Sequence, residues 1–452
     1  MLEALSFEEL VGRGKYGQVW RGQFRNGDSS TSTTVAIKVV AEQNKRYLVN
    51  ECRIYSLHRA FVEESTMARY YGYTERLSDE GKREYCMAIE YGHQGSLYAY
   101  LQAQTLDWTA LCRLLRSLAQ AVAYLHTEQT LQSPNTTNTP KGKVMPKPSI
   151  VHRDLCSRNV IVKADGSCMI VDYQFAVPFL NNKPLFLESE FAAHGHGHHQ
   201  RHSAATVVGT LRYLAPELLD GAINLNHAES ALKQADIYAL GLIFWEVASR
   251  CADLYQGIDV PPYQAPFELE TGGQELRQQL TFDQMRVLVS RNKARPLFPD
   301  IWKDSNPAIR LLKETINECW DQEPEARLTA LCIKERLAEL PALWRKFKSE
   351  MTMSCCVVSS LQQLKSIENT LNHKHGASSG LTVAVAGGCT GGKADGAHGG
   401  HCHHPLKFSN SSIVLNESLE SMAYPVSTCY INKFENSLHY KHNGHHHLLH
   451  HP

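Results

Sequence analysis

No stretch of this 452-residue chain reaches the roughly 20 consecutive apolar residues that a membrane-crossing helix requires, so no span is expected within it. The opening Met1-Leu2-Glu3-Ala4-Leu5-Ser6-Phe7-Glu8 carries acids and no apolar run, and no signal peptide is expected. Net charge is absent too. Lys plus Arg and Asp plus Glu are equal at 46 each, so no overall field recruits nucleic acid or anionic lipid, and partners must be specific. The thirteen cysteines are odd in number and form no CxxC pair, with Cys355-Cys356 the one adjacent couple. That usage fits a reducing compartment in which most thiols act as small buried hydrophobes. What remains is a polypeptide expected to be soluble, whose 43% hydrophobic content suffices for a two-lobed core plus an appendage.

His152-Arg153-Asp154-Leu155-Cys156-Ser157-Arg158-Asn159 sets an acid, a basic neighbour and an amide at a spacing that resembles the HRDLxxxN catalytic loop of protein kinases. The resemblance implies that Asp154 orients a substrate hydroxyl and takes its proton, Asn159 holds Mg²⁺, and His152 and Arg153 brace the loop. Upstream, Gly12-Arg13-Gly14-Lys15-Tyr16-Gly17-Gln18-Val19 reads GxGxxGxV between apolar Leu10, Val11 and Trp20. A strand-turn-strand flap is expected there, its glycines letting the backbone approach phosphates. Val35-Ala36-Ile37-Lys38 is a β-branched run ending in the lysine that would meet the α- and β-phosphates. In Tyr47 to Leu57 the apolar positions 47, 48, 54, 55 and 57 predict a helix with one buried face, and its Glu51 is expected to pair with Lys38.

Cys168-Met169-Ile170-Val171-Asp172 reads as a short buried strand ending in an acid, eighteen residues after Asp154, where a kinase places its Mg²⁺-binding aspartate. Tyr173-Gln174 then departs from the DFG pattern. The aromatic is kept, but glutamine replaces the residue that most freely accepts unusual dihedrals. Gly209 to Glu217 closes the activation segment with Ala215-Pro216-Glu217, and Asp236 opens an apolar helix through Ile243, Phe244, Trp245 and Val247. The resemblance to kinases implies that Asp236 holds the catalytic-loop backbone and that Arg327 pairs with Glu217, a pair whose members stand or fall together if buried.

Over about residues 5–345 the chain thus resembles a eukaryotic protein kinase: an α+β, bilobal fold with a small β-rich N-lobe (about 5–91) and a large helical C-lobe (about 92–345). The expected kinase domain is 1–345, followed by a His/Gly/Ser-rich tail, 346–452, without independent structure. Ala123-Tyr124-Leu125-His126-Thr127-Glu128, the catalytic loop, Glu229 to Glu246 and Cys319-Trp320-Asp321-Gln322 narrow the likeness. They look like the type II receptor serine/threonine kinases of the TGF-β superfamily, most of all the bone morphogenetic protein branch, and the histidine-rich insertions would suit an insect member. The resemblance implies ATP contacts at Val11, Gly12, Gly14, Gly17, Val19, Ala36, Lys38, Glu90 and Gly92, and catalytic roles for Lys38, Glu51, Asp154 and Asn159. It also implies Mg²⁺ (or Mn²⁺) on Asn159 and Asp172, with Glu217, Asp236 and Arg327 as structural charges. The implied partners are a type I receptor kinase as substrate and a secreted BMP-like ligand bound by an ectodomain outside this sequence, with no nucleic acid. The expected place is the cytoplasmic side of the plasma membrane, as the intracellular portion of a single-pass receptor.

Arg158-Asn159, with no lysine two residues after Asp154, has a tyrosine-kinase look, whereas Gly209-Thr210 and the residues to Glu217 follow the serine/threonine pattern. Cys156 in place of a phosphate-contacting lysine, together with Gln174, leaves open a pseudokinase that binds nucleotide without turnover, and a scaffold acting through the tail is a further alternative. Three insertions interrupt the pattern: a polar loop at 26–34, an extended loop at 129–149 with four prolines, and an activation segment carrying His194, His196, His198, His199 and His202. The glycine-interrupted histidines read as a low-complexity loop more than a metal site.

Overall fold

The computed structural model describes residues 5–25, 32–58, 67–129, 146–186, 208–271 and 280–374. Most of the three insertions and all of 375–452, with their histidines, lie outside the described residues.

Strand alternation builds the first lobe. Leu5–Arg13 (β1), Gln18–Arg25 (β2), Ser32–Ala41 (β3), Tyr70–Leu77 (β4) and Arg83–Glu90 (β5) form an antiparallel sheet in the order β1-β2-β3-β5-β4. Val35, Ile37 and Val39 of β3 are buried together with Cys86 and Ala88 on one face, beneath Phe7, Trp20 and Phe24. The period of two therefore sends Lys38 to the other face. Against that face lies the helix Lys45–His58 (α1), whose buried side carries Leu48, Glu51, Ile54 and Tyr55. Glu51 is thus on the inward stripe of the helix, not on its solvated side.

The second lobe is helical. Leu97–Ala103 (α2) and Trp108–His126 (α3) follow the sheet, and Asp107 caps α3 by accepting from the Ala110 amide at 2.6 Å. Five short strands come next: Ser149–Val151 (β6), Val160–Val162 (β7), Cys168–Ile170 (β8), Val177–Leu180 (β9) and Lys183–Pro184 (β10). β7 pairs with β8 and β6 with β9, which leaves residues 152–159 and 171–176 as the connecting loops. The helices Pro216–Leu219 (α4), Ala228–Ser249 (α5), Phe282–Met285 (α6), Pro307–Cys319 (α7) and Ala330–Lys374 (α8) complete it. Every residue of α5 from Ala235 to Ala248 is buried, as befits a helix apolar on all sides, and α7 packs on it. Its acids Asp236 and Glu246 therefore need partners.

α8 packs on α3, where Trp344 stacks on Trp108 with ring centroids 4.1 Å apart. The helix then runs on to Lys374, past residue 345 where the sequence reading ended the lobe. Residues 350–374 hold no glycine or proline, so nothing in them stops it. Among the described residues no helix is long and apolar enough to cross a membrane.

Candidate active site

The loop between β6 and β7 is held from below by one carboxylate. Asp236 Oδ2 accepts from the His152 amide at 2.7 Å and Oδ1 from the Arg153 amide at 2.9 Å, while His126 Nε2 lies 3.0 Å from Oδ2. Arg153 has φ +68°, a left-handed conformation that costs a side-chain-bearing residue about 1–3 kcal/mol unless its surroundings impose it. The two amide bonds to a buried acid impose it here. Next in the chain, Asp154 is 8% exposed, and its Oδ1 accepts from both the amide and the hydroxyl of Thr210, each at 2.7 Å. Burial pushes the Asp154 carboxyl above its usual range, and the Thr210 donors oppose the shift. Thr210 gets this close because Gly209, at φ +113°, has no side chain: a Cβ would fall 2.6 Å from the Arg153 carbonyl oxygen. Asn159 Nδ2 donates to the Asp154 carbonyl at 2.9 Å, which turns its Oδ1 the other way.

In the first lobe, Lys38 Nζ lies 2.6 Å from Glu51 Oε2 and 2.6 Å from Asp172 Oδ1. Burial works against the Lys38 ammonium, but the Asp172 and Glu51 carboxylates outweigh it and raise its pKa above the ordinary lysine value. Burial pushes the Glu51 carboxyl up, and Lys38 opposes. The second Glu51 oxygen accepts from the Tyr173 amide at 3.1 Å, so one side chain holds both the lysine and the start of the activation segment. Tyr173 is fully buried, edge-on to Tyr55 with centroids 5.2 Å apart, and its hydroxyl donates to the Ile170 carbonyl. It serves as the aromatic plug. Below the activation segment, Arg327 donates to both oxygens of Glu217 at 2.8 Å, and also to the carbonyls of Gln234 and Asp321 at 2.9 Å.

The sequence matches the protein kinase domain family over residues 5–337. The chain belongs to the protein kinase family. Mouse TGF-beta receptor type-2 is 32% identical over 336 residues, 74% of this chain and 53% of that protein. Human anti-Muellerian hormone type-2 receptor is 34% identical over 345 residues (75% and 54%), and human activin receptor type-2A is 33% identical over 342 (76% and 58%). The kinase thus spans a little over half the length of the relatives it matches.

Residues expected at the nucleotide line the strands that carry Lys38. Val19 lies opposite Lys38, Gly12 opposite Val19, and Ala36 opposite Ile89. Val11 is 47% exposed, and Gly12 and Gly14 have open space at their Cβ positions or nearly so, whereas Gly17 sits against the Val39 carbonyl. Tyr16, at the turn of this flap, meets Tyr47 of α1 and Phe175 at 4.5 and 5.6 Å. Glu90 ends β5 with its side chain engaged by Lys163 at 3.2 Å and the Arg69 amide. Gly92 lets the following linker lie on β7, because a Cβ there would fall 2.0 Å from Ile161 Cγ2.

Several residues of this kinase site had no motif to announce them. Asn50, beside Glu51, donates to the Gln174 and Ala176 carbonyls at 3.1 and 3.0 Å and so ties α1 to the turn after Asp172. Glu246 accepts from the Tyr213 hydroxyl at 2.6 Å and the Tyr263 hydroxyl at 2.5 Å, and Ser157 of the catalytic loop lies 3.0 Å from Tyr213. Burial raises the Glu246 carboxyl to about 7, against those hydroxyls. Lys147 is fully buried under the catalytic strand and donates to the Tyr124 and Thr127 carbonyls at 2.6 Å. Cys156 is also buried, with Sγ 3.6 Å from the Thr210 hydroxyl, and burial holds its thiol protonated by raising it to about 12.

Proposed function

We propose that the chain is a serine/threonine kinase that moves the γ-phosphoryl group of ATP to a protein hydroxyl. The observation that carries this reading is Lys38, held at 2.6 Å by both Glu51 and Asp172, together with an Asp154 carboxylate fixed by two Thr210 donors. Lys38 is thereby set to receive phosphate oxygens, and Asp154 to orient the acceptor hydroxyl and take its proton, help typically worth about 10²–10⁴ in rate. A divalent cation fits the donors present: the Asp172 carboxylate, and an Asn159 amide whose nitrogen is spent on the Asp154 carbonyl, leaving the oxygen for the metal. Mg²⁺ or Mn²⁺, when bound, would neutralise the phosphates. Thr210, donating twice to Asp154, supports serine/threonine over tyrosine specificity.

The named relatives support a receptor role. In this reading the chain is the intracellular part of a single-pass type II receptor at the plasma membrane, its ligand is BMP-like, and its substrate is a type I receptor kinase. The test is transfer from ATP by the full chain to a type I receptor intracellular region whose own nucleotide-binding lysine has been replaced. Phosphoserine or phosphothreonine that disappears with Asp154→Asn is expected. Phosphotyrosine alone, or label that survives the substitution, would overturn the assignment.

A second reading, a pseudokinase, is favoured by the buried, uncharged Cys156 in place of a phosphate-contacting lysine. Nucleotide binding without transfer to any protein substrate is its signature.

A further inference from the structure

One buried acceptor lies beside Asp172, the candidate cation ligand, with no donor among the described residues. Gln174 is 6% exposed, and its Oε1 meets no hydrogen-bond partner among the described residues. Its Nε2 donates to Asp172 Oδ2 at 3.4 Å, while Asp172 Oδ1 is occupied by Lys38. The orientation of the amide follows from chemistry: exchanging its two ends would set an amide oxygen on a carboxylate oxygen, acceptor against acceptor. The two heteroatoms of one amide are closer together than a hydrogen-bond length, so Oε1 stays in the neighbourhood of the Asp172 carboxylate. The turn that carries it is fixed independently, because the Gln174 backbone carbonyl takes the Asn50 amide.

An orphaned buried amide oxygen forfeits its hydration with nothing in return, and native interiors hold few of them. The donor it lacks is of a kind that a hydrated cation brings. Mg²⁺ gives up its waters reluctantly and keeps several when held by one or two protein oxygens, and each such water is a strong hydrogen-bond donor. We propose that Gln174 belongs to the divalent-cation site of this kinase: Nε2 holds the Asp172 carboxylate in place, and Oε1 accepts a hydrogen bond from a water on the cation. Gln174 is then a positioning residue, acting through Asp172 and the water shell. A glycine at this position could do neither, so the departure from DFG supplies an outer-shell contact where the usual residue supplies only backbone freedom.

This rests on the kinase reading, and in particular on Asp172 as a cation ligand. The experiment measures ATP affinity of the full chain by calorimetry as Mg²⁺ is raised, for wild type, Gln174→Met, Gln174→Gly and Asp172→Asn. Methionine keeps the shape and removes both polar atoms; glycine removes the side chain. Both are expected to raise the Mg²⁺ needed for half-maximal ATP binding by about 10-fold, at the low end of what losing an outer-shell partner does, with ATP affinity in the absence of metal unchanged. If both variants stay within about twofold of wild type while Asp172→Asn shifts the Mg²⁺ dependence strongly, this proposal fails and the cation site stands. If Asp172→Asn is silent as well, the cation reading of Asp172 fails with it. A change in melting temperature without a change in Mg²⁺ dependence would make Gln174 a packing residue and also overturn the proposal.

Discussion

Replacing Glu217 by alanine removes one half of a deeply buried ion pair of the second lobe. The Arg327 side chain is 0% exposed and that of Glu217 9%, and two of the four hydrogen bonds of the guanidinium end on this carboxylate. Charge-assisted bonds are worth about 1.5–3 kcal/mol each, so the two together come to about 3–6 kcal/mol. Breaking a buried pair by removing one partner independently suggests about 3–5 kcal/mol. With about 2 °C lost per kcal/mol in a domain of this size, a melting temperature lower by about 6–10 °C is expected. Thermal unfolding followed by circular dichroism at constant pH measures it. Arg327 keeps the Gln234 and Asp321 carbonyls, so the loss comes from an uncompensated charge and not from a cavity. A double variant, Glu217→Ala with Arg327→Met, should therefore melt above Glu217→Ala alone. A single variant melting within about a degree of wild type, or a double variant worse than the sum of its parts, would refute the reasoning.

Two other substitutions probe buried carboxylates by pH. Lys38→Met should abolish transfer and also strand Glu51, which is 1% exposed and would keep only the Tyr173 amide. Glu51 then folds best protonated, with a folded pKa above its unfolded one, so this variant should lose stability against wild type as pH rises above the ordinary carboxylate range, and adding Glu51→Gln should restore stability but not transfer. Stability that tracks wild type throughout that rise would mean Glu51 is not confined. For Glu246, raised from 4.5 to about 7 by burial, wild type holds its full contribution below about 4.5 and loses it as pH climbs to about 7. Glu246→Gln lacks that titration, so wild type should fall relative to the variant between those pH values and run parallel above them. A difference with no pH dependence would argue against the raised carboxyl.

Motifs were legible where the chemistry demands one residue type at one spacing. The apolar positions of Tyr47 to Leu57 predicted a helix with one buried face, and Glu51 on it was expected to pair with Lys38 at the end of its β-branched run; the structure brings these two and Asp172 within hydrogen-bond reach. Asp236 was readable as the acid of a buried helix that cannot leave it unpaired, although α5 begins at Ala228, about two turns before the Asp236 at which the apolar pattern was expected to open it. Contacts assembled from remote segments were not. Ser157, Tyr213, Glu246 and Tyr263 come from four places in the chain, and each alone is an ordinary polar or aromatic residue. At Gln174 the pattern showed only that a glycine was missing; that the amide would reach back to Asp172 depends on the φ of +68° at Asp172, which no motif encodes. The kinase pattern stops near 345, whereas α8 runs on to Lys374 through residues with no glycine or proline, a continuation that no motif marks.

The central claim is that Asp154 and the Lys38 cluster transfer phosphate and do not merely hold nucleotide. The direct measurement is label transferred from γ-³²P-ATP to a serine/threonine protein substrate by the purified full chain with Mg²⁺, set beside Asp154→Asn, with ATP binding of both followed in parallel. The account predicts that both bind ATP and that wild type transfers label at least about 100-fold faster than the variant. Equal binding with no more label from wild type than from Asp154→Asn would contradict it and leave the pseudokinase in its place.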